Sequence, residues 1–597
     1  MENTVVRMVD ARVEQYGEGT VMERKVDGSW QPVSWKDLSK AYREVARGLA
    51  CLGFKRGDRI AILSENRPEW AFADLGILAM GGIDIPFYWT LTPAQLEYIL
   101  LDCTAGAIFV SNLEYLDKIL KIRPGLPELK MIICFDPVPE DRLAHDVITL
   151  DDLLARGCEA MPEIWESLGR SIAEGGAHDP ATIIYTSGTT GEPKGVMLTH
   201  DNFLSNVRQV LEVIKIGDTD TCLSFLPLSH VFERLAYYLF LYTGCKIVYA
   251  ESIDQLIPNM GEVKPTILVS VPRVYEKAYG RILDRVRESS LIKRLIFVTS
   301  LSVGQEVSRR LQAGKELSGW LRFQQKFADR LVFFKLRQTF GGRIRLMISG
   351  GAPLSKRIAE FFHAAGLIIL EGYGLTETSP VISANDLERL RFGSVGHPLP
   401  GVEVRIADDG EIQVRGPNVM KGYFNRPSDT AEAIDGDGWF STGDLGHIDN
   451  DGYLVITGRK KSIIVTAGGK NIAPSLVENA LCADKFISQA FVYGDRRKYI
   501  SALIAPDWER VENYAKEHRI EFSSRRELCD NSRIRELLQG RIDSAQVDLS
   551  PVEQIKRFKI MEREFSQDKG EVTPTLKLRR KQITSRFWKD LESLYDD

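Results

Sequence analysis

Short apolar runs alternate with segments of helical periodicity from about residue 57 to residue 370. Apolar runs of this kind predict buried strands, and the intervening segments predict helices that cover a sheet. Strands and helices in alternation build mostly parallel sheets with helices packed on their faces. We therefore predict an α/β fold in which strands form at residues 59–64, 107–110, 131–134, 182–185, 266–270 and 346–349.

The pattern changes after residue 400. Residues 401–406 and 411–415 alternate apolar and polar side chains around an Asp-Asp-Gly turn, and this arrangement predicts a β-hairpin. A second hairpin is predicted over residues 446–457, with its turn at Asp451-Gly452. This part of the chain is therefore expected to add antiparallel strands to the α/β body.

A basic tripeptide follows the second hairpin. Arg459, Lys460 and Lys461 precede a predicted strand at 462–466, and we place a domain boundary at this point. Residues 462–597 are enough for a small α+β domain. The sequence thus predicts two domains, of which the first is much the larger.

The composition is that of a globular protein. Hydrophobic residues make up 44% and charged residues 27% of the 597 positions, which excludes disordered, collagen-like and coiled-coil classes. The net charge of −5 is too close to neutral for the general electrostatic footprint of a nucleic-acid-binding protein. The eight cysteines form no Cys-x-x-Cys pair, so neither a disulfide framework nor a zinc site is indicated.

The absence of targeting signals favours a cytoplasmic location. The amino terminus lacks the basic start and apolar stretch of a signal peptide. The longest uncharged stretches reach only about a dozen residues, which is too short to cross a bilayer. We expect a cytoplasmic protein and leave peripheral contact with a membrane open.

One segment differs from the rest in charge. Residues 281–345 carry 15 Lys and Arg against five Asp and Glu, in a chain whose total charge is −5. Apolar residues recur within this segment at roughly helical spacing, which predicts a helical insertion. Two interpretations stay open: a solvated helical insertion, or a basic amphipathic stretch that contacts an anionic membrane surface.

A loop rich in small and hydroxylated residues, Tyr185–Gly195, follows an apolar strand. Such residues let the backbone approach a polyphosphate closely, so that main-chain N–H groups and hydroxyls donate hydrogen bonds to its oxygens. The loop is not of the Walker type, because Pro193 stands where that motif needs glycine. In addition, Lys194 is followed by Gly195, whereas the motif needs serine or threonine after its lysine. The sequence therefore predicts a phosphate-binding loop and disfavours a P-loop NTPase.

Five further motifs follow this loop along the chain. They are Ser349–Leu354, Glu371–Thr378, Trp439–Asp444, Gly458–Lys461 and Thr573–Arg580. Together with the Pro-Lys-Gly end of the loop, they resemble the signature of the adenylate-forming superfamily of acyl-CoA synthetases, nonribosomal-peptide adenylation domains and luciferases. The resemblance spans almost the whole chain.

The resemblance implies a domain organisation. It comprises a large N-terminal adenylation domain over 1–458, with mixed α/β sheets, a small β-barrel-like subdomain and the helical insertion. A hinge at 459–461 would join this domain to a small mobile α+β domain over 462–597.

The resemblance also implies a set of nucleotide-binding residues. Among them, Asp444 would accept hydrogen bonds from the ribose hydroxyls, with Arg459 as a donor beside it. The residues implied to bind ATP or AMP are Thr186, Ser187, Gly188, Thr189, Thr190, Gly191, Lys194, Gly351, Ala352, Gly372, Tyr373, Thr376, Asp444, Arg459 and Lys577.

The implied chemistry needs positive charge, because a carboxylate that attacks the α-phosphorus of ATP must overcome repulsion between two anions. By resemblance, Lys577 contacts the carboxylate and the α-phosphate, and Thr376 bonds the AMP phosphate. Glu377 and Thr186 would hold Mg²⁺, a hard cation that prefers oxygen ligands. His230 matches the family position that orients the substrate carboxylate. The implied catalytic residues are Lys577, His230, Thr376 and Glu377.

A glycine-containing stretch lies just beyond the hinge. Gly468, Gly469 and Lys470 resemble the loop that meets the pantetheine arm of CoA, and glycine permits the close approach of a thin chain. The resemblance further implies that the C-terminal domain rotates about the hinge residue Lys461 after adenylation. An apolar run at 235–242 is expected either to line an acyl tunnel or to belong to the core.

We predict an ATP-dependent ligase that joins a long-chain fatty acid to CoA through an acyl-AMP intermediate. The helical insertion, the forms of the motifs and the absence of charge in the apolar run favour a long acyl chain. One alternative is an acyl-AMP ligase or acyl-ACP synthetase that loads a carrier protein. Another is a catalytically inactive lipid- or membrane-binding scaffold. The predicted partners are fatty acid, ATP and CoA, and no nucleic acid is expected.

Overall fold

The computed structural model describes residues 2–186, 192–547, 549–573 and 577–596. Its strands, in chain order, are β1 Thr20–Val26, β2 Ser29–Ser34, β3 Arg59–Leu63, β4 Ile83–Phe87, β5 Ala107–Val110, β6 Met131–Cys134, β7 Val147–Thr149, β8 Pro180–Thr186, β9 Lys194–Thr199, β10 Thr221–Ser224, β11 Lys246–Tyr249, β12 Ile267–Ser270, β13 Leu346–Ser349, β14 Ile369–Gly374, β15 Val381–Ala384, β16 His397–Pro398, β17 Glu403–Ile406, β18 Glu411–Arg415, β19 Gly422–Tyr423, β20 Phe440–Ile448, β21 Leu454–Arg459, β22 Ile464–Val465, β23 Asn471–Ile472, β24 Ile487–Tyr493, β25 Ser501–Pro506 and β26 Arg557–Ile560.

The α-helices, in chain order, are α1 Val5–Tyr16, α2 Trp35–Cys51, α3 Pro68–Met80, α4 Pro93–Cys103, α5 Leu113–Ile122, α6 Leu150–Cys158, α7 Pro162–Glu174, α8 His200–Val213, α9 Val231–Thr243, α10 Leu256–Val263, α11 Pro272–Arg287, α12 Leu291–Gln312, α13 Gly319–Ala328, α14 Phe334–Thr339, α15 Lys356–Ala364, α16 Pro427–Ala433, α17 Pro474–Cys482, α18 Trp508–Glu517, α19 Arg525–Asp530, α20 Ser532–Ala545, α21 Arg580–Arg586 and α22 Trp588–Glu592. Short 3₁₀ turns include Thr376–Thr378 and Lys460–Ser462, and a π-helical turn, Asp329–Phe333, joins α13 to α14.

Two large mixed sheets form the body of the molecule. One has nine strands in the order β16-β15-β14-β13-β12-β10-β11-β1-β2, and the other has eight in the order β19-β9-β8-β4-β3-β5-β6-β7. Their central strands run parallel, and antiparallel strands lie toward the edges. The predicted α/β class is confirmed, because helices follow most of the parallel strands and cover the sheets.

A smaller antiparallel sheet follows in the chain. Its order is β17-β18-β20-β21, so the predicted β-barrel-like subdomain takes the form of a four-stranded sheet. Both predicted hairpins lie within it, as the pairs β17–β18 and β20–β21. The second pair places Asp444 directly opposite Arg459.

The carboxyl-terminal part of the chain has apolar clusters of its own. β24, β25 and β26 form a three-stranded sheet whose sides are covered by helices, and buried residues such as Val477, Ile504 and Leu538 pack together there. A second cluster includes Leu503 and Ile583. The expected strand at 462–466 is wrong in its extent: Ser462 belongs to a 3₁₀ turn, and only Ile464–Val465 pairs, with Asn471–Ile472.

The basic segment is helical, as predicted. The end of α11, then α12, α13 and α14 account for most of residues 281–345. In the described part of the chain, none of the helices has both the length and the apolar content that a bilayer crossing requires.

Candidate active site

Strand β8 ends where the predicted phosphate loop begins. Thr186 is its last residue and pairs with Lys194, the first residue of β9, and the Thr186 hydroxyl donates to the Lys194 carbonyl at 3.5 Å. The Lys194 ammonium lies 3.0 Å from the Asp429 carboxylate and 5.0 Å from the centre of the Tyr423 ring. The predicted phosphate contacts Ser187, Gly188, Thr189, Thr190 and Gly191 lie outside the described residues.

The 3₁₀ turn that contains Thr376 and Glu377 packs beside β9. The Tyr423 hydroxyl donates to Oε1 of Glu377 at 3.0 Å. Tyr423 therefore connects the predicted magnesium ligand Glu377 to Lys194 on the phosphate side. The main-chain N–H of Met420 also donates to the Glu377 carbonyl at 2.8 Å, which fixes the turn.

Asp444 is held from two sides. The Tyr373 hydroxyl donates to its Oδ2 at 2.8 Å, and Nε of Arg459 donates to its Oδ1 at 2.7 Å. Only 8% of the Asp444 side chain is exposed, whereas Arg459 keeps 45% of its side chain exposed. The Asp444 charge raises the pKa of Arg459 above its ordinary value. Each carboxylate oxygen has two lone pairs, so Asp444 retains capacity to accept from a ribose.

The loop after β13 contains Gly351 and Ala352, which are both exposed. Gly351 has a φ of +79°, a left-handed conformation that suits glycine. The buried Glu371 accepts a hydrogen bond from the Leu354 main-chain N–H at 3.0 Å. Burial raises the pKa of Glu371 to about 7. Gly372 follows it in β14, so one strand anchors this loop and also supplies the next two predicted contacts.

His230 precedes helix α9 and caps its amino terminus. Its Nδ1 accepts from the Phe232 main-chain N–H at 3.1 Å. Burial and the nearby positive charge of Lys577 lower the pKa of His230 to about 3, so the ring is neutral at pH 7. With Nδ1 acting as an acceptor, the proton of the neutral ring resides on Nε2, which is thus a donor.

Lys577 reaches the same cleft from the far end of the chain. Its backbone pairs with Thr573 through two hydrogen bonds, of 2.8 and 3.0 Å. Lys577 is exposed to solvent, but protein atoms surround the cleft that it faces. Desolvation by these atoms and the charge of Arg459 lower the pKa of Lys577. Asp444 and Glu377 act on it in the opposite sense. The fold thereby brings Lys577 near residues of three other motifs.

The predicted CoA contacts lie in a separate, exposed turn. Gly468, Gly469 and Lys470 join β22 to β23, and Gly469 has a φ of +72°. Main-chain hydrogen bonds link Thr466 to Gly469 and to Lys470. The hydrogen bonds described for Gly469 and Lys470 stay within the turn, and its further bond, from the Ala467 N–H to the Arg497 carbonyl, is to another part of the carboxyl-terminal domain. The structure therefore does not bring these three residues together with the cleft.

The predicted hinge residue Lys461 is exposed, within the 3₁₀ turn that follows β21. Its neighbour Lys460 makes the ion pairs here, with Asp409 at 2.5 Å and Glu411 at 2.8 Å. Two ion pairs with the large domain therefore fix the chain at Lys460, one residue before the predicted hinge residue Lys461.

The apolar run 235–242 belongs mostly to the core. Leu235 to Leu241 are buried, Tyr237 packs edge-on against Trp70, and Tyr238 packs against Phe203. Of the two expectations for this run, the structure supports the core.

Three residues of the site were missed from the sequence. Glu371 lies inside a motif used for the prediction, but nothing in the sequence indicated that its side chain holds the Leu354 loop. Tyr423 and Asp429 come from β19 and α16, outside all the motifs. Their roles depend on the pairing of β19 with β9, which sequence separation conceals.

The donor set fits a magnesium ion that arrives with a nucleotide. Among the described residues, no group of three or more His, Cys, Asp or Glu side chains forms a ready metal cage. Mg²⁺ commonly takes one or two carboxylates from a protein, and substrate phosphates and water supply its other ligands. Glu377, with the Thr186 hydroxyl on the phosphate side, matches that requirement.

The chain matches models of known protein families over most of its length. Residues 9–424 match the AMP-binding enzyme family, and residues 461–597 match the AMP-binding enzyme C-terminal domain. The chain belongs to the AMP-binding enzyme family. The predicted membership of the adenylate-forming superfamily is thereby confirmed.

Relatives resemble the chain over nearly its whole length. It is 37% identical over 579 residues to the long-chain-fatty-acid–CoA ligase FadD15 of Mycobacterium bovis, which covers 96% of this chain and 94% of that protein. It is 32% identical over 628 residues to the long-chain-fatty-acid–CoA ligase ACSBG1 of Homo sapiens, which covers 100% of this chain and 85% of that protein.

A solved structure shares the fold. The adenylation domain of a carboxylate reductase from Mycobacterium chelonae superposes with a TM-score of 0.80 at 22% identity, covering 100% of this chain and 91% of that one. The arrangement of a large α/β body and a carboxyl-terminal domain is therefore that of this AMP-binding family.

Proposed function

We propose that this family member activates a long-chain fatty acid with ATP and transfers the acyl group to CoA. The observation that carries the proposal is the convergence of Lys577, His230, Asp444 with Arg459, and Glu377 at one cleft. These side chains come from five separate parts of the sequence. The curated relatives named above, both long-chain-fatty-acid–CoA ligases, support the same substrate class.

In the first half-reaction, an oxygen of the fatty acid carboxylate attacks the α-phosphorus of ATP. A new P–O bond forms while the bond to the pyrophosphate oxygen breaks, which gives acyl-AMP and pyrophosphate. Lys577 supplies positive charge to both the attacking carboxylate and the α-phosphate, and this offsets the repulsion between two anions. Thr376 donates its hydroxyl to the phosphate of the forming AMP.

His230 would orient the carboxylate. Because its Nδ1 is engaged by Phe232, the neutral ring presents Nε2–H as a single donor. A neutral donor holds a carboxylate oxygen without neutralising its charge, so the oxygen stays nucleophilic. The ring does not change its charge near pH 7, because its pKa is about 3.

The nucleotide is held by contacts on each of its parts. Asp444 accepts from the ribose hydroxyls while Arg459 and Tyr373 keep the carboxylate in place. We assign the adenine side to Gly351, Ala352, Gly372 and Tyr373, and the phosphate side to Lys194 and the loop before it. Glu377 and Thr186 are the residues that would hold Mg²⁺, which when bound draws negative charge from the phosphate oxygens.

In the second half-reaction, the CoA thiolate attacks the acyl carbonyl. The carbon–sulfur bond forms as the bond to the AMP phosphate oxygen breaks, and AMP leaves. We propose that residues 1–458 form the adenylation domain, that 462–597 move about the hinge 459–461 at Lys461, and that Gly468, Gly469 and Lys470 then receive the pantetheine arm. The exposed glycine turn supports this assignment because it offers little obstruction to a thin chain.

The test is release of AMP and pyrophosphate with carboxylates from acetate to oleate, each with and without CoA. The proposal expects the fastest sustained release with long-chain acids, and only when CoA is present. Sustained release only with short or aromatic acids would contradict the substrate class. A single burst that CoA does not extend would point to carrier-protein loading, and no release would favour an inactive scaffold.

Excess EDTA should stop turnover, as expected if Mg²⁺ is required.

We further propose that the protein contacts anionic membrane surfaces through the outer face of α13 and α14. Nearly half of the large apolar side chains exposed in the described residues lie between residues 291 and 334. Trp320 is 68%, Phe323 51% and Phe327 57% exposed, and their rings pack on one another along the outside of α13.

The same helix is apolar on its opposite side. Leu321 and Ala328 in α13, and Leu336 in α14, are buried, and Ala328 and Leu336 belong to the main apolar core. A helix of an isolated soluble protein needs one apolar face, so a second one indicates another surface in contact with it. Cationic side chains without ion-pair partners among the described residues flank the exposed rings, and they match an anionic lipid surface: Arg322, Lys326, Arg330 and Lys335.

Co-sedimentation with vesicles tests this contact. The wild-type protein should sediment with vesicles that contain anionic lipid and much less with neutral ones, and high salt should weaken the binding. A Phe323→Ser, Phe327→Ser double variant should lose most of the binding. Trp588→Ser is the matched control, because Trp588 is 48% exposed but lies outside the segment. Equal, weak binding to both kinds of vesicle would contradict the proposal.

A further inference from the structure

Two ion pairs join the carboxyl-terminal domain to the large domain, and both end on the same carboxylate. Lys485 Nζ lies 2.8 Å from Oδ1 of Asp284, and the Arg510 guanidinium bonds to Oδ2. Asp284 lies near the end of α11 in the large domain, whereas Arg510 belongs to α18. Within the described residues, the other ion pairs beyond residue 461 stay inside the carboxyl-terminal domain.

The environment makes this contact stronger than an ordinary surface ion pair. The Asp284 side chain is 18% exposed, and those of Lys485 and Arg510 are 22% and 27% exposed. Burial alone would raise the pKa of Asp284, but the hydrogen bonds from Lys485 and Arg510 outweigh it and the pKa is lowered. The carboxylate is therefore ionised at neutral pH and satisfied by two cations of the other domain.

Hydrogen bonds to uncharged acceptors supplement the ion pairs. Arg273, at the start of the same helix α11, donates to the Ser488 hydroxyl at 3.2 Å. At a different point, the Gln567 side-chain amide donates to the Thr90 carbonyl at 2.6 Å. Helix α11 thus contacts the carboxyl-terminal domain at its first turn through Arg273 and near its end through Asp284, and Asp284 makes its ion pairs with that domain.

We propose that Asp284 is a positioning residue that holds the carboxyl-terminal domain in the orientation where Lys577 faces the nucleotide cleft. This role rests on the proposed function. Asp284 touches neither the cleft residues nor the reacting atoms, and it acts through Lys485 and Arg510. Because Lys577 belongs to the same domain as those two cations, their attachment to α11 places the lysine.

The contact has opposite consequences for the two half-reactions. Adenylation needs Lys577 at the cleft, so the ion pairs increase the population that is competent for it. Thioester formation needs the domain to rotate away, and rotation breaks both ion pairs. Asp284 therefore sets the balance between the two orientations, and its removal should change one half-reaction without impairing the other.

The experiment measures the half-reactions separately in the full-length protein. Adenylation is followed as fatty-acid-dependent exchange of pyrophosphate into ATP, without CoA, using oleate. Thioester formation is followed from supplied oleoyl-AMP and CoA, without ATP. In Asp284→Asn, exchange should fall about fivefold or more, whereas thioester formation should be unchanged or faster.

Matched variants separate positioning from simple loss of stability. Glu512→Gln removes a carboxylate of similar exposure, 28%, that lies on α18 but pairs within the carboxyl-terminal domain with Arg525. This control should leave both half-reactions within about twofold of the wild type. Lys485→Met should resemble Asp284→Asn, and the double variant should lose less exchange than the two single losses multiplied together, because both remove the same contact.

Equal losses in both half-reactions, or no loss of exchange in Asp284→Asn, would overturn the positioning role. Fully independent effects of Asp284→Asn and Lys485→Met would overturn it as well. Absence of oleate-dependent exchange in the wild type would contradict the proposed function itself, and the role of Asp284 with it. The wild-type measurement therefore distinguishes the two failures.

Discussion

Two clusters of charged side chains lie near His230 and differ in their access to water. The cleft cluster consists of Asp444, Arg459, Glu377 and Lys577, and Arg459 keeps 45% of its side chain exposed. The interior cluster consists of Arg234, Asp74, Asp84 and Tyr238, whose charged side chains are fully buried. Arg234 belongs to α9 and its main-chain N–H donates to the His230 carbonyl.

The charged groups of the interior cluster contact one another inside the fold. The Arg234 guanidinium contacts Asp74 and lies 2.6 Å from Asp84, its Nε donates to the Tyr238 hydroxyl at 2.9 Å, and it lies 4.5 Å from the centre of the Trp70 ring. Burial raises the pKa of both carboxyl groups, although Arg234 opposes the rise. These contacts tie α3, β4 and α9 together.

The cleft cluster leaves part of its charge free for a ligand. Its members come from separate motifs and lie near one another, and Arg459 and Lys577 remain accessible to solvent. The same residue types therefore have different roles according to their burial: the closed cluster stabilises the arrangement of helices, and the open cluster is available for chemistry. Substitutions in the two clusters should therefore affect different measurements.

The largest expected effect is on catalysis in the cleft cluster. Lys577→Ala removes positive charge aimed at the α-phosphate, and removal of one such group costs roughly 10²–10³ in rate. Fatty-acid-dependent pyrophosphate exchange should fall by that factor. The thermal unfolding midpoint should stay close to that of the wild type, because Lys577 is exposed. Exchange retained at the wild-type rate would show that another residue supplies the charge.

The next effect is on stability in the interior cluster. Arg234→Met leaves two buried carboxyl groups without their cation, and breaking a buried pair in this way costs about 3–5 kcal/mol. Urea unfolding should show this loss. Arg459→Met, the matched change in the cleft, should cost clearly less, because Arg459 is 45% exposed and the Asp444 that it leaves keeps its hydrogen bond from Tyr373. Similar losses of unfolding free energy in both variants would contradict the view that only the interior cluster stabilises the fold.

A smaller effect is expected on nucleotide affinity. Asp444→Asn keeps the shape of the side chain but replaces one of its acceptor oxygens with a donor, so it no longer accepts from both ribose hydroxyls. The KM for ATP should rise by roughly tenfold, while the KM for oleate changes little. An equal rise in both KM values would indicate a general disturbance of the cleft. Glu403→Gln, an exposed carboxylate paired with Arg415, is the control.

Much of the fold was accessible from sequence because its signals are local. The apolar runs 107–110 and 346–349 became strands β5 and β13 with the predicted bounds, and the glycine turns placed both hairpins. The strand predicted at 462–466 was too long because its run of consecutive apolar residues gave no sign of the 3₁₀ turn at Lys460–Ser462. That turn is stabilised by the ion pairs of Lys460 with Asp409 and Glu411, which lie about 50 residues earlier in the chain.

The site was less accessible, because contacts between distant segments decide it. The resemblance implied Arg459 as a donor beside Asp444, and the register of β20 with β21 gives the physical reason, because it pairs the two residues. Tyr423 and Asp284 have no local signal, since their partners are 46 and 201 or more residues away. The predicted contacts at 187–191 lie outside the described residues, and the assignment of the CoA turn stays a prediction.

The smallest expected effect is a shift in pH dependence, and it concerns the charge of Lys577 itself. Although Lys577 is exposed, desolvation by the protein atoms around the cleft and the charge of Arg459 lower its pKa from the ordinary 10.5. As the pH rises, the ammonium group therefore loses its proton earlier than a free lysine does. Only the protonated form attracts the carboxylate and the α-phosphate. Adenylation should therefore decline on the alkaline side at a pH below 10.5.

Lys577→Arg sharpens this prediction. A guanidinium stays protonated throughout the accessible range, so the alkaline decline should disappear or move to higher pH, even though the rate is lower. Pyrophosphate exchange is the suitable assay because it contains no CoA, whose thiol also titrates. An alkaline decline that is identical in the wild type and in Lys577→Arg would assign it to another group. His230 contributes no decline between pH 5 and 8, because its pKa of about 3 leaves it neutral over that whole range.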